Sequence, residues 1–472
     1  MRIKESLVVP GTALIFFAAS FIFRLLSFLQ TPFANGWDGY FYINQVRSFM
    51  EEGRMDVPDI SLIYPLMMVV QVFTGDYVLS YKLLAAILAA TLTMSFFLLA
   101  LKWTDNYKTA LILGSMGLFS PHLTYFAAQY PKNLLGVVLF IWLLYASDSK
   151  RKVVIVLMMI LNFVGHRVTA VLGLLYLVIR GFSPYVVIII GAAIMAAGFF
   201  LPGILNLFDV ERFHGVISTG LQFTPYSFIK SFGFDLIGPW WLIEIVAACI
   251  VFFAAIVYAV KKPDRRLTSI LFVLAVLIFP FFVWSENGPA IRFFLIFILL
   301  CPLLLIFFLR SIEKNYLAFV LITCSFFSYR TYDPAKHDPN YELYCLVATQ
   351  AVSKVRADSI ELIIAHKALA EYIVYSTGID AMSWIPEYEI DKARLWRIAE
   401  GVKDVQFNCY LDPDDMAFVH RITPTYCLIR EDYWTKFLLR IKNDSNEELL
   451  NDLTNWKNPS KMRPKFLLKN KS

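Results

Sequence analysis

Of 472 residues, 58% are hydrophobic and only 17% charged, and the mean hydropathy is +0.60. Soluble domains run near half apolar and a quarter charged, so a soluble enzyme is excluded for most of the chain. The formal charge of +6 is spread over short loops between apolar runs, which excludes a nucleic-acid binder.

The charge deficit is uneven: residues 1–330 are roughly 12% charged and the remaining residues roughly 28%. This predicts an all-α polytopic membrane domain over 1–330 and a small α/β soluble domain over 331–456. A Lys- and Asn-rich disordered tail is expected over 457–472.

Apolar runs able to cross ~30 Å of hydrocarbon lie near 8–29, 77–101, 108–126, 132–147, 184–201, 239–260, 267–284, 290–310 and 315–330. The first is too long for a signal peptide and lacks a small-residue cleavage site, so it reads as a retained helix. The stretch 152–181 is overlong for one helix and is interrupted by Gly165-His166-Arg167. Basic loops settle its reading. With the N-terminus (Arg2, Lys4) in the cytoplasm, Lys102, Lys108 and Lys150-Arg151-Lys152 fall inside, and Arg180, Lys261–Arg266, Arg310 and Lys314 follow them inside only if 152–181 crosses twice. Eleven spans follow, with the C-terminal domain extracytoplasmic.

Two further loops then face outward, 30–76 and 202–238. The second is rich in Phe and suits helices lying in the membrane interface, or an irregular loop with aromatic belt residues. In the soluble domain, 361–365 reads as a strand and 366–377 as a helix that Gly378 stops. A helix near 391–400 and a strand over Val405–Tyr410 follow. Among three outer cysteines, Cys409 and Cys427 are the pair best placed for a disulfide.

Charge at membrane depth is expensive, so the outward charges need a reason. Asp38 lies in Gly36-Trp-Asp-Gly-Tyr-Phe-Tyr42. Lys132 and Asn133 lie in Tyr130-Pro-Lys-Asn-Leu134. His166-Arg167 marks the break, and Glu286 and Arg292 flank a short loop in Trp284-Ser-Glu-Asn-Gly-Pro-Ala-Ile-Arg-Phe293. Taken singly, Lys132 or Arg292 could be a snorkelling helix end, and Asp38 a turn residue. Taken jointly, one acid and several cations suit transfer from a phosphate-linked sugar. Cations hold the leaving phosphate and the carboxylate takes a proton from the attacking hydroxyl. A glycoside hydrolase would need a second carboxyl.

Several stretches resemble the GT-C superfamily of integral-membrane glycosyltransferases. They are Trp37-Asp38-Gly-Tyr40 after the first span, Tyr64-Pro-Leu66 with Gly75 and Lys82, and Tyr130-Pro-Lys-Asn133. His166-Arg-Val-Thr169 and Arg292-Phe293 with Pro302 complete the set. The resemblance implies a polyprenyl-phosphate sugar donor, an inverting mechanism and Asp38 as general base. Lys132, Asn133, His166, Arg167, Glu286, Arg292 and Tyr40 are then candidate phosphate or sugar contacts. The acceptor could be lipid, glycan or protein. A divalent cation is left open, with Asp56, Asp59 and Glu286 as the carboxylates that could join Asp38. The Asp-Glu pair of protein O-mannosyltransferases and the Trp-Trp-Asp-Tyr-Gly motif of oligosaccharyltransferases are missing; Trp240-Trp241 instead precedes Leu-Ile-Glu244. The competing reading is a transporter or flippase for a lipid-linked saccharide, which would favour inverted repeats; none is evident.

Overall fold

The computed structural model describes residues 2–56, 59, 61–149, 152–182, 239–283, 287–309, 322–323, 326, 338–355, 360–382, 392–400, 417–447 and 449–450. The expected spans at 184–201 and 315–330, the loop 202–238, Glu286, the strand 405–410, Cys409 and the tail 457–472 lie wholly or largely outside these residues. The chain divides into two compact units, Met1–Asn35 with Asp59–His337, and Gly36–Pro58 with Asp338–Ser472. The first-loop segment carrying Asp38 therefore groups with the C-terminal part of the chain.

The first unit is helical: α1 (Arg2–Phe28), α3 (Ile63–Thr74), α4 (Tyr77–Thr104), α5 (Tyr107–Phe119), α6 (Pro121–Gln129), α7 (Pro131–Ala146), α8 (Lys152–Gly165) and α9 (Arg167–Ile179). After them come α10 (Pro239–Lys261), α11 (Arg265–Val283), α12 (Asn287–Leu300), a 3-10 turn and α13 (Leu305–Leu309). By length and apolarity, four helical stretches can cross a membrane: Val8–Phe28, Tyr77–Thr104, Glu244–Lys261 and Arg292–Leu309. The bent pair α5 and α6 makes a fifth if it is one span. The eleven-span expectation thus exceeds what the described helices carry by length. At 14 residues, α8 is only roughly 21 Å long.

The core of this unit is built on α4, whose buried face runs from Ser80 to Thr104 and which packs on α1, α3, α5 and α7. Close approach is set by small residues. A Cβ on Gly136 of α7 would stand 2.4 Å from both the His166 Cβ and the Thr169 Oγ1. Glycine there lets α7 lie directly against the break between α8 and α9.

Between α5 and α6 the helix bends by 53° at Ser120. The freed carbonyls are not left bare, as burial demands. Arg24, fully buried in α1, donates to Leu118 O at 2.8 Å and Gly117 O at 2.7 Å. Ser120 caps α6 and donates to Glu244 Oε1 at 2.6 Å, and His122 Nδ1 lies 2.5 Å from Glu244 Oε2.

The second unit contains α2 (Gly39–Glu52), α14 (Tyr341–Lys354), α15 (Lys367–Thr377) and α16 (Glu431–Asn443). Its sheet has strands β1 (Leu362–Ile364), β2 (Ala381–Met382), β3 (Leu395–Glu400), β4 (Val419–Thr423) and β5 (Tyr426–Arg430). The strand order is β2-β1-β3-β5-β4. β1 runs parallel to both β2 and β3, while β5 runs antiparallel to β3 and β4. β1, α15 and β2 form a parallel crossover, closed where Gly378 adopts φ +72° at the helix end, as a left-handed C-terminal cap requires.

The segment 391–400 corrects the sequence expectation. It is a short 3-10 turn at Lys392–Arg394 and then β3, not a helix. Leu-Trp-Arg-Ile-Ala-Glu has acceptable helix formers, but β3 is paired on both sides, Ile363 opposite Trp396 and Ile398 opposite Leu428. Pairing and burial override so weak a local preference. α16 lays Tyr433, Trp434, Phe437 and Ile441 on Ala399, Val419, Cys427 and Ile429 of the sheet. Cys427 is buried and its thiol is free, with burial pushing that thiol up to about 12.

Candidate functional site

The first unit gathers the basic residues singled out in the sequence. α7 opens with Pro131 at its first position, where a missing N–H costs nothing. That start places Lys132 and the buried Asn133 in the first turn. α8 stops at Gly165, and His166, extended at φ −161° and ψ 121°, precedes α9, whose first residue is Arg167. The expected break is therefore present at that dipeptide.

The segment before α3 is stitched to this break. Leu62 N donates to Val164 O at 3.1 Å and Ser61 Oγ to Gly165 O at 3.0 Å. These bonds satisfy carbonyls at the end of α8, which has no following turn to accept from. They also set Asp59 among the cations. Lys132 Nζ donates to Asp59 Oδ2 at 2.6 Å, Tyr64 OH donates to the same oxygen at 2.9 Å, and an Arg167 nitrogen lies 3.7 Å from Oδ1. Burial alone would raise the Asp59 carboxyl; Lys132 foremost, with Tyr64 and Arg167, outweighs it and holds Asp59 below its ordinary value.

Arg292 stacks over the Tyr130 ring at 4.7 Å, and the charges of Lys132, Arg292, Arg167 and Asp59 all act on His166. His166 Nδ1 is buried without a hydrogen-bond partner among the described residues. Lys132, His166, Arg167 and Arg292 thus converge, although they come from three separate stretches of sequence. Asp59 was legible only as a spare carboxylate. Its role as counter-ion follows from tertiary contact.

The second unit holds Asp38 and Tyr40. Asp38 precedes α2, and Lys367 Nζ of α15 donates to its Oδ1. Tyr40 is 2% exposed and sits against Tyr341 and Tyr372, each at 5.1 Å, and Tyr375 at 4.8 Å. The ring packs α2 onto its neighbours. Ser48 donates to Asp56 Oδ1 at 2.6 Å, which ties the other spare carboxylate to the far end of α2. Among the described residues no three His, Cys, Asp or Glu side chains are grouped to hold a metal.

Lys367 and Glu371 had no signal in the sequence beyond lying on an expected helix. Glu371, one turn beyond Lys367, accepts from Asn44 Nδ2 through its carboxylate at 3.3 Å and its backbone carbonyl at 2.9 Å. Burial pushes its carboxyl up to about 7, with Asp38 and Asp56 adding to the rise and Lys367 and Asn44 opposing it. A carboxyl raised in the folded state stabilises fully below its unfolded value, near 4.5, and that contribution is lost as pH rises through 7. Unfolding of this unit should therefore require less denaturant at pH 8 than at pH 5. Glu371→Gln should flatten that difference; an unchanged pH dependence would show that the carboxyl ionises normally.

No known family model and no curated protein sequence matches the chain. Solved structures do. ArnT from Cupriavidus metallidurans bound to undecaprenyl phosphate aligns with a TM-score of 0.55 at 11% identity, over 89% of this chain and 98% of that one. The same protein in the apo state aligns at 0.54 and 10% identity over the same shares. The archaeal oligosaccharyltransferase AglB from Archaeoglobus fulgidus aligns at 0.46 and 11% identity, over 80% of this chain and 64% of that one. At such identity the likeness is one of fold. By this alignment the chain has the fold of the Cupriavidus metallidurans ArnT structures.

Proposed function

We propose that the protein is a membrane glycosyltransferase that moves a sugar from a polyprenyl phosphate to an acceptor hydroxyl, on a lipid, glycan or protein, at the outer membrane face. The observation that carries this reading is that Lys132 and Arg167 meet Asp59 beside the His166 break, with Arg292 over the neighbouring Tyr130 ring and its charge felt at His166. Three cations against one carboxylate leave net positive charge where the helix is broken. A phosphate monoester or diester answers that charge, and the buried His166 Nδ1 can meet one of its oxygens.

In this reading the cations hold the phosphate of the donor and offset the charge that grows on it as the bond to the anomeric carbon breaks. Asp38 takes the proton from the attacking group, whose heteroatom bonds to the anomeric carbon from the side opposite the phosphate. The configuration inverts, and polyprenyl phosphate leaves with the bonding pair. No second carboxyl is needed to protonate so good a leaving group. The ArnT structure bound to undecaprenyl phosphate supports a lipid phosphate as the donor class. The N-terminus would be cytoplasmic and the C-terminal domain extracytoplasmic.

The test is to incubate the purified, detergent-solubilised protein with a panel of polyprenyl-phosphate sugars and follow release of polyprenyl phosphate. Release from one donor, faster with acceptor present, is the expected result. Binding of donors without release from any would favour carriage of a lipid-linked saccharide instead.

A further inference from the structure

Asp38 and Lys367 are 329 residues apart in the chain and meet inside the second unit. Their side chains are 16% and 27% exposed. Lys367 is the first residue of α15, with His366 as its cap, so its position is set by the helix start. Its ammonium also lies 5.8 Å from the Phe41 ring.

The pair is poorly explained as glue. α2 is already held to α15 by Asn44 on Glu371, by Arg47 Nη1 donating to Tyr375 O at 2.9 Å, and by the tyrosines around Tyr40. Those contacts hold the two helices together without the pair. It does, however, fix the direction of a carboxylate that follows Gly36 and Trp37 and stands just outside the first turn of α2. Gly36 itself is anchored, its N–H donating to Asp338 Oδ1 at 2.6 Å and its carbonyl accepting from Tyr341 OH at 2.8 Å.

We infer that Lys367 is the positioning residue of the general base: by donating to Oδ1 of Asp38 it orients the carboxylate toward the acceptor and keeps it ionised for proton abstraction. The inference rests on the reading of Asp38 as base. During the reaction the proton of the acceptor moves to the Asp38 carboxylate, which becomes a carboxylic acid. Product release returns the proton to water. The charged groups that the structure relates to Asp38 are Lys367 and Glu371, both from α15. Of these, the structure puts Lys367 in direct contact with it.

The experiment is a pH–rate profile of the full-length protein with an accepted polyprenyl-phosphate sugar, for Lys367→Met, Lys367→Arg and Asp38→Asn. Lys367→Met should lower kcat about tenfold or more while the donor KM changes less than about twofold. Its acid limb should move up by about one pH unit, because an ammonium no longer favours the charged carboxylate. Lys367→Arg should recover most of kcat and the original limb. An active Lys367→Met with an unmoved limb, beside an inactive Asp38→Asn, overturns the inference and leaves the base assignment standing. A fully active Asp38→Asn removes the base assignment, and the inference with it. Where Lys367→Met does not fold, Lys367→Gln reads the same limb with the charge removed and a donor kept.

Discussion

Asp38→Asn should leave the protein folded and lower sugar transfer by about 10²–10⁴-fold. The amide has nearly the shape of the carboxylate and can still accept from Lys367, so the packing of α2 against α14 and α15 survives. What it cannot do is take a proton from the acceptor. The donor should still bind, since the phosphate contacts assigned to Lys132, Arg167 and Arg292 are untouched. A variant with unchanged KM for the polyprenyl-phosphate sugar and a collapsed kcat is therefore the expected signature. Full activity would remove Asp38 from the chemistry. A lost KM with kcat preserved would make it a binding residue instead.

Lys132→Met carries the second large effect, and it has two parts that can be separated. Lys132 donates to Asp59 at 2.6 Å, and its loss leaves a mostly buried carboxylate with Tyr64 and the more distant Arg167. That should cost about 2 kcal/mol of stability. A cation aimed at developing charge is also lost, and kcat should fall by about 10²–10³-fold. Pairing the change with Asp59→Asn removes the stranded carboxylate. Thermal unfolding of Lys132→Met/Asp59→Asn should return close to that of the unaltered protein, while transfer stays low. Recovery of transfer in the double variant would mean that Lys132 serves only to neutralise Asp59, and its phosphate role would be withdrawn.

The two outcomes also bear on why Asp59 is there. Its carboxylate pairs with Lys132 and lies near Arg167, and in the proposed function a donor phosphate would compete with it for both. Three positive side chains within one unit repel each other, and a local anion offsets that repulsion. Asp59→Asn alone should then weaken the helical unit modestly, an expectation read in the same unfolding series.

Much of the architecture is legible from local pattern because local pattern is what produces it. Apolar runs against short basic loops mark the helices of the first unit, since hydrocarbon admits little else. The Gly165-His166-Arg167 break shows in the sequence because two polar residues interrupt an apolar run too long for one crossing. Likewise Glu361–Ala365 and the helix stopped by Gly378 follow from β-branched clustering and a residue able to take φ +72°. The stretch 391–400 misleads for the complementary reason: its helix preference is worth a few tenths of a kcal/mol per residue, and two flanking strands outweigh it.

By itself, then, the sequence determined that this is a membrane protein with a more highly charged C-terminal part, and which side chains carry costly charge. Those properties belong to single segments, and burial of each segment is decided by its own composition. Only the tertiary structure decided who answers each charge. Asp59 lies 73 residues from Lys132 and Lys367 lies 329 from Asp38, and no periodicity links residues so far apart. Such pairs exist because helix starts, a glycine contact at 136 and a stitched loop bring the groups within hydrogen-bond reach, where an ion pair a few ångströms across gains what it cannot gain through water.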